Sequence, residues 1–404
     1  MTTTRTVRVS SRLAAVAAAV VAVAACSSSK SSSSTAPSGG SSTTAAAAAG
    51  GTTTTTVDAL AAAQAQVAKA EQSTNVDVDP TPRPGVKGKH IVVISQGQAS
   101  PSSQIPSDGA VAAAKALGWQ VELYDAKLNP AQYPALIRQA IAAGADGIID
   151  DAGDCQGSQQ AFSEAKAKGI VVVPIYAYDC TDTKGGGGSE SFFGSRVSYG
   201  TRAPDPDKYA ELYGENQADY IIAASNNAAK IIAINDPEFV VLDWTLQGFK
   251  DTIAASHGSQ IVDTLNVTTT DITSGQLVPK LQAELLRFPD ATWIKSPYTY
   301  ITQLGIVPAL GAKAGQINVM GGEGFQTELD FLRAGKITAV NIISSEWEGW
   351  AAVDAMNSLF RKEQPVDSGI GFTLADKSHN LPASGNYIPT IDFKSEFKKA
   401  WGVS

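Results

Sequence analysis

The sequence predicts an α/β protein of two doubly wound lobes, each a parallel sheet covered by helices. From His90 onward, short β-branched runs alternate with amphipathic stretches, which is typical of successive βα units. Gly118, Gly144 and Gly169 follow predicted helices at the position where a left-handed residue ends a helix. The alternation restarts after residue 205 without a sequence repeat, which indicates a second lobe of the same class.

The first series predicts four strands separated by helices. The strands are expected at 90–95, 120–125, 147–150 and 170–175, and the helices at 107–117, 130–143 and 158–168. A polar loop is expected over 96–106. Asn129-Pro130 supplies an N-cap followed by proline at the first helical position. Four βα units at this spacing favour a parallel sheet with helices on both faces.

The second series predicts five more strands and six helices. The strands are expected at 230–234, 260–265, 292–295, 318–320 and 337–343, and the helices at 206–224, 245–256, 274–288, 301–314, 325–334 and 347–360.

The N-terminus reads as an export signal over residues 1–25. Arginines precede an apolar run, Leu13 to Ala25, which ends directly before Cys26. The run resembles a bacterial lipoprotein lipobox, and this resemblance implies that Cys26 carries lipid. It also implies an extracytoplasmic protein, periplasmic or on the outer face, anchored to the membrane by its N-terminus. The alternative is an ordinary secretory signal with a chance cysteine.

Residues 26–56 are almost entirely Ser, Thr, Ala and Gly, so we expect a disordered tether. A flexible coil of this length reaches roughly 30 Å, which suits a domain held above a membrane. Residues 57–85 are expected to form a helix to about Gln72 and then a stiff connector with prolines at 80, 82 and 84.

Composition limits the possible partners. With 31 Lys and Arg against 39 Asp and Glu, the net charge is -8, which argues against nucleic acid. After Cys26, two cysteines remain, Cys155 and Cys180. An even pair in an oxidising compartment predicts a disulfide, and two free buried thiols are the alternative.

Ligands of open parallel sheets bind beyond the carboxyl ends of the strands, and these positions are rich in amides, carboxylates, hydroxyls and aromatic rings. Such groups hydrogen-bond to hydroxyls or pack on the C–H face of a sugar ring. Arg and Lys are scarce there, so we expect a neutral sugar or polyol. The alternative is that many of these side chains cap helices or lie in solvated loops. The candidate ligand-binding residues are Gln96, Gln98, Ser102, Asp151, Asp154, Tyr178, Asp179, Asp236, Trp244, Thr245, Tyr298, Tyr300, Glu323, Glu346 and Trp347.

No catalytic residue, metal site or cofactor is predicted. The sequence lacks Gly-x-Ser-x-Gly, Walker A and His-Glu-x-x-His patterns. His90, His257 and His379 are far apart, without partners at zinc-ligand spacing. Acid pairs such as Asp150-Asp151 leave a glycoside hydrolase as a minor alternative.

Several fragments, in order and spacing, resemble the type I periplasmic binding proteins of bacterial sugar ABC transporters, the ribose-binding-protein-like group. The resemblance covers roughly residues 86–365. The fragments are Gly109–Trp119, Tyr124–Ala126, Ile141–Ile149, Ala165–Pro174, Gln247–Phe249, Gly321–Gly324, Leu332–Lys336 and Gly349–Asp354.

This resemblance implies two lobes joined by three crossovers near Val197, Ser344 and Pro365. Lobe 1 would comprise residues 86–197 plus 346–364, and lobe 2 residues 198–345 plus 365–404. It further implies a monomer that closes on a sugar and delivers it to an ABC importer permease. A sensor that presents its ligand to a signalling receptor is the alternative.

The sequence departs from the family at positions that bear on the ligand. Thr245 stands where the family often has Arg, Thr299-Tyr300 where it has Asn-Asp, and Glu323 where it has Asp. The Ser344–Glu346 region replaces a family Gln. The scaffold therefore carries over better than the ribose contacts, and a different sugar or polyol is expected.

Overall fold

A computed structural model describes residues 50–404, which contain two β-sheets covered by helices. This architecture confirms the predicted fold class. The expected signal peptide, Cys26 and most of the tether lie outside the described residues. Within residues 50–404, no helix combines the length and the apolar character needed to cross a bilayer.

The N-terminal part contains a leading helix and the four strands of the first sheet. The elements are α1 (Gly50–Glu71), β1 (His90–Ser95), α2 (Pro101–Ala116), β2 (Gln120–Asp125), α3 (Tyr133–Ala142), β3 (Gly147–Asp151), α4 (Gln159–Ala167) and β4 (Val171–Ile175). The strands are parallel in the order β2-β1-β3-β4. The run Ile91–Ile94 fills a central strand and is buried on both faces, as expected of a parallel sheet covered on both sides.

The C-terminal part contains the second sheet. Its elements are α5 (Pro206–Ala224), β5 (Lys230–Asn235), α6 (Val240–Ser256), β6 (Gln260–Asn266), α7 (Thr269–Thr273), α8 (Leu277–Arg287), β7 (Trp293–Lys295), α9 (Thr299–Ile301), α10 (Val307–Leu310), β8 (Asn318–Met320), α11 (Gln326–Arg333), β9 (Ala339–Ile343), α12 (Ser345–Phe360), β10 (Phe372–Asp376) and α13 (Phe393–Trp401). The order is β10-β9-β8-β7-β5-β6, with β10 antiparallel to β9.

Several boundaries differ from the sequence predictions for local reasons. The predicted loop 96–106 is helical from Pro101, because Pro101 occupies the first helical position, where a missing N–H costs nothing. Helix α1 begins at Gly50 rather than at Val57. The stretch 301–314 is not one helix, since a π-helical turn over Thr302–Ile306 separates α9 from α10.

The last strand and the last helix, β10 and α13, were not predicted. Helix α13 packs against α12, which itself lies on α2 of the first sheet. Its aromatic side chains stack there, with Trp401 against Trp350 at 5.6 Å between ring centroids. The end of the chain therefore returns to the first lobe, and assigning all of 365–404 to the second lobe is wrong at this helix.

The lobes are connected by more than the three expected crossovers. Two of the expected segments, near Val197 and Pro365, lie side by side where the N–H of Ser368 donates to the carbonyl of Ser198 over 2.8 Å. A further segment, residues 72–86, leaves α1 on the second lobe and reaches the first. At its far end the buried Arg83 donates to Asp354 over 2.6 Å. A final segment, residues 377–392, joins β10 to α13.

Candidate functional site

A cavity of about 100 Å³ lies between the two lobes, at the carboxyl ends of both sheets. The first lobe contributes Gln96, which follows β1, and Tyr176, which follows β4. The second lobe contributes Phe239, which follows β5, and Glu323, which follows β8. Because the walls come from both lobes, a ligand held here touches both at once.

Six of the fifteen predicted ligand-binding residues line this cavity. They are Gln96, Ser102, Thr245, Tyr298, Tyr300 and Glu323. They derive from the strand ends and first helical turns of both lobes, as the strand-end rule predicts.

Glu323 joins the two lobes across the cavity wall. Its Oε2 accepts hydrogen bonds from Ser102 Oγ in the first lobe over 2.6 Å and from the Thr299 N–H over 3.1 Å. Burial raises the pKa of Glu323 to about 7, because desolvation disfavours the charged form. It is the only carboxylate among the described residues that line the cavity.

The described lining contains no Lys or Arg. Lys295, the last residue of β7, is fully buried outside the lining. Desolvation there lowers its pKa to about 7. The cavity therefore lacks the cation that a phosphate or carboxylate ligand calls for.

Three buried polar groups of the lining lack a hydrogen-bond partner among the described residues, and the phenol oxygen of Tyr209 is one of them. The other two are the Nε2 of Gln96 and the phenol oxygen of Tyr213. Burial raises the pKa of Tyr213 well above its ordinary value, so this phenol stays protonated and can donate. Buried polar groups are normally paired, which indicates that a ligand or water completes them.

Stacked aromatic rings support one wall. Tyr209 on α5 lines the cavity and lies between Tyr199, at 3.7 Å between centroids, and Phe372, at 4.5 Å. The hydroxyl of Tyr176 contacts Ser345 Oγ at 3.2 Å. Rings held in this way present rigid faces to a ligand.

Three predicted acids lie near the cavity but accept hydrogen bonds from other groups of the protein. Asp151 accepts from Ser107 Oγ over 2.9 Å, and Asp236 accepts from the Tyr298 hydroxyl over 3.0 Å. Asp154 accepts from the backbone N–H groups of Tyr178 and Val240. None of the three lines the cavity.

Four further predicted residues also lie outside the lining. Gln98 Nε2 donates to Ser95 Oγ over 2.9 Å, and the Tyr178 hydroxyl donates to the Pro206 carbonyl over 3.1 Å. Asp179 accepts the N–H groups of Phe192 and Phe193 and so orders its own loop. Trp244 Nε1 donates to Asp182 of the other lobe over 3.3 Å.

Glu346 and Trp347, in the first turn of α12, do not line this cavity. They line a second cavity of about 780 Å³, together with Phe325 and residues 384–394. Glu346 forms an ion pair with Lys394 at 2.6 Å. Trp347 is fully buried, stacks on Phe393 at 4.7 Å between centroids and donates to the Ser368 carbonyl over 2.9 Å. The Trp347 ring therefore supports the packing of the fold, and its contact with ligand stays a prediction.

Cys155 and Cys180 form a disulfide, with their Cα atoms 5.0 Å apart. Each cysteine follows one of the adjacent parallel strands β3 and β4. The Cys155 N–H also donates to the Tyr178 carbonyl over 2.9 Å. The bond joins two turns of the first lobe beside the cleft.

Several lining residues were not predicted from the sequence. Tyr209 and Tyr213 lie on α5, before a strand rather than after one, so the strand-end rule did not reach them. Their spacing of four residues places them on one helix face, which was an available signal. Phe239, Leu242 and Ile272 are apolar, and the search was for polar groups.

In the described part of the chain, one group of potential metal ligands contains the two disulfide cysteines, and the other comprises Glu71, Asp376 and His379. The second group lies outside the cavity lining. His379 Nδ1 is 3.0 Å from Glu71 and 3.1 Å from Asp376, and Asp376 Oδ1 also accepts the His379 N–H over 2.8 Å. These distances describe a hydrogen-bonded contact between α1 and the end of β10.

Residues 91–194 match the periplasmic binding protein domain family. No curated protein matches the chain.

Solved structures show the same fold at low identity. An ABC transporter solute-binding protein from Agrobacterium vitis, bound to α-D-tagatopyranose, has a TM-score of 0.62 at 22% identity, over 72% of this chain and 95% of that one. A glucose-galactose binding protein from Geobacillus stearothermophilus has a TM-score of 0.60 at 20% identity, over 74% and 100%. A Caulobacter myo-inositol binding protein has a TM-score of 0.61 at 17% identity, over 74% and 97%.

Proposed function

We propose that this chain, which has the type I periplasmic binding protein fold and whose residues 91–194 belong to that domain family, binds a neutral sugar or polyol between its lobes. One observation carries the proposal. The interlobe cavity offers uncharged hydrogen-bonding groups and tyrosine rings from both lobes, and no Lys or Arg lies among its described lining residues.

The ligand would act by stabilising the closed arrangement of the lobes. Gln96 and Ser102 belong to the first lobe, whereas Tyr213 and Glu323 belong to the second. A ligand that contacts both sets binds the closed state more tightly than the open one, and this difference shifts the population. The mechanism requires no bond to be made or broken.

The cavity favours binding over hydrolysis. Glycoside hydrolysis generally uses two carboxyl groups on either side of the scissile bond. Glu323 is the only carboxylate in the described lining, and it is already engaged with Ser102 and Thr299. The ligand would therefore leave unchanged.

The biological role follows from the sequence and the family together. Export through the signal over 1–25 and lipid on Cys26 would hold a monomer outside the cytoplasm, at the membrane, on the tether that follows Cys26. There it would pass its ligand to the permease of an ABC importer. The moving bodies would be residues 86–197 with 346–364 and residues 198–345 with 365–376, and α13 would move with the first.

The test is a binding panel on the purified chain. Thermal unfolding with neutral monosaccharides and polyols, followed by calorimetric titration of those that raise Tm, should find at least one ligand at one site per chain. Mass spectrometry should recover it unaltered. Gln96→Ala should weaken binding about tenfold through loss of one buried hydrogen bond. A panel without binding, or a chemically changed ligand, overturns the proposal.

A further inference from the structure

The cavity has an apolar side as well as a polar one. The apolar side comes from the start of α6 and from α7 in the second lobe, with one residue from the first lobe. Its members are Leu128, Phe239, Val241, Leu242 and Ile272. These residues lie in the segments that follow strands β2, β5 and β6. Strand β2 lies at the edge of its sheet, and β5 and β6 lie at one end of theirs.

The polar side comes from different strands. Gln96 follows β1, Ser102 and Ser103 lie in the first turn of α2, and Glu323 follows β8. Strand β8 is separated from β5 by β7, whereas β5 and β6 are neighbours. Glu323 and its contact with Ser102 therefore lie two strands away from the segments that carry Val241 and Ile272.

Because one side of the cavity is apolar, a fully hydroxylated ligand would lose binding free energy there. A hydroxyl buried against apolar side chains loses its water partners and gains none, at about 1–3 kcal/mol. A methyl or methylene group at the same place gains about 0.8 kcal/mol per carbon from burial. Thr245, one turn along α6, and Thr269, at the start of α7, border this side with hydroxyls. The apolar side is therefore bordered by polar groups, which favours a small apolar part in the ligand.

We infer that the ligand is a small deoxy or methyl-bearing sugar or polyol, whose apolar carbon lies against Val241, Leu242 and Ile272 while its hydroxyls meet Gln96 and Glu323. This inference rests on the proposed sugar-binding function and narrows its ligand class.

Matched pairs of probes test the inference. Calorimetric titration would compare D-galactose with D-fucose, L-mannose with L-rhamnose, and ribitol with 1-deoxyribitol, whose members differ by one hydroxyl. In at least one pair the deoxy member should bind about tenfold or more tightly, because a buried unpaired hydroxyl is avoided. If, in every pair that binds at all, the fully hydroxylated member binds as tightly as the deoxy member or more tightly, the inference is overturned. The proposed function would then still stand. If no member of any pair binds, and no ligand of the general sugar and polyol panel binds either, both the inference and the proposed function are overturned.

Two threonine variants, of which Val241→Thr is isosteric, test the location. Val241→Thr and Ile272→Thr each add a hydroxyl to the apolar side and should reduce the deoxy preference at least threefold, since the hydroxyl of the parent sugar gains a partner. Val262→Thr is the matched control, because Val262 lies on β6 outside the cavity lining, and it should leave the preference unchanged. A preference that persists in both cavity variants overturns the assignment of this wall. Thermal unfolding of each variant checks that it is folded.

Discussion

Asp154 of the first lobe accepts a hydrogen bond from the backbone N–H of Val240 in the second lobe, over 2.8 Å. Val240 is the first residue of α6, where helical N–H groups lack a partner within the helix. The other Asp154 oxygen accepts the Tyr178 N–H of its own lobe, also over 2.8 Å. One carboxylate thus caps a helix of the opposite lobe, and the contact exists only when the lobes are together.

Asp154→Asn should weaken ligand binding without any direct contact to ligand. Asparagine presents one acceptor oxygen instead of two, so either Val240 or Tyr178 loses its partner. Losing one buried acceptor costs about 1–3 kcal/mol, which raises Kd by about 5- to 150-fold. Calorimetric titration with the tightest panel ligand measures the change. Asp290→Asn, at an exposed ion pair with Lys230, is the control, and an unaltered Kd for Asp154→Asn would refute the role of this contact.

Ligand affinity should fall as pH rises from about 5 to 7. Desolvation in the closed state raises the pKa of Asp154 from 3.8 to about 7 and that of Glu323 from 4.5 to about 7. An acid whose pKa is raised on closing takes up a proton on closing. Below the ordinary pKa values both carboxyl groups are protonated in either state, so burying them adds no cost to closure. The closed state loses stability as pH rises toward 7, and it is least stable above that pH.

Each proton taken up changes Kd by up to about tenfold per pH unit. Titrations at pH 5, 6, 7 and 8 in one ionic strength measure the slope, and Glu323→Gln should reduce it. A Kd that is flat, or that tightens with rising pH, would contradict the link between these two carboxyl groups and closure.

Opening the Cys155–Cys180 disulfide should destabilise the first lobe. The bond spans a sequence separation of 25, and closing a loop of this size contributes about 3 kcal/mol in the chain-entropy account. The double variant Cys155→Ser with Cys180→Ser should unfold at lower denaturant than the wild type. The wild type with a reductant should shift in the same direction, whereas the double variant should not respond to it. A reductant that leaves the wild-type transition unmoved, with thiol labelling complete, would oppose this expectation.

Substitution of Trp347 should lower the stability of the fold, whereas substitution of Gln96 should weaken ligand binding. Trp347→Ala removes a fully buried ring stacked on Phe393 and should cost about 3–5 kcal/mol of unfolding free energy. Gln96→Ala should leave Tm nearly unchanged and weaken ligand binding instead. Denaturant unfolding and titration of both variants measure the contrast. A stable Trp347→Ala protein with lost affinity would reverse the assignment made here.

The regular parts of the fold were accessible from the sequence. β-branched runs such as 91–94 are buried on both faces, so their pattern is continuous and easily recognised. Strand β10, with the sequence Phe-Thr-Leu-Ala-Asp, offers no such run and pairs antiparallel through a contact with β9 that is distant along the chain. Helix α13 does carry local signals, namely the N-cap Asp392, Gly402 after its end, and an apolar face that includes Phe393 and Phe397. These signals were overlooked.

The candidate site was only partly accessible, for a physical reason. The strand-end rule locates a region, so Gln96, Ser102 and Glu323 were found. It does not say which acids form hydrogen bonds within the protein instead of with a ligand. Asp151, Asp154 and Asp179 accept hydrogen bonds from Ser107, Val240 and Phe192, and these partners are set by tertiary contacts. The apolar wall was missed because apolar residues after a strand read as core.

Calorimetric titration of the wild type and of Ser103→Phe with the tightest neutral sugar or polyol of the panel tests the interlobe site most directly. Ser103 is buried and lines the cavity, so a phenyl ring there would occupy the ligand's place. We predict one ligand per wild-type chain, recovered with unchanged mass, and no measurable binding by a Ser103→Phe protein that remains folded by circular dichroism. Equal binding by both proteins would contradict a ligand held between the lobes.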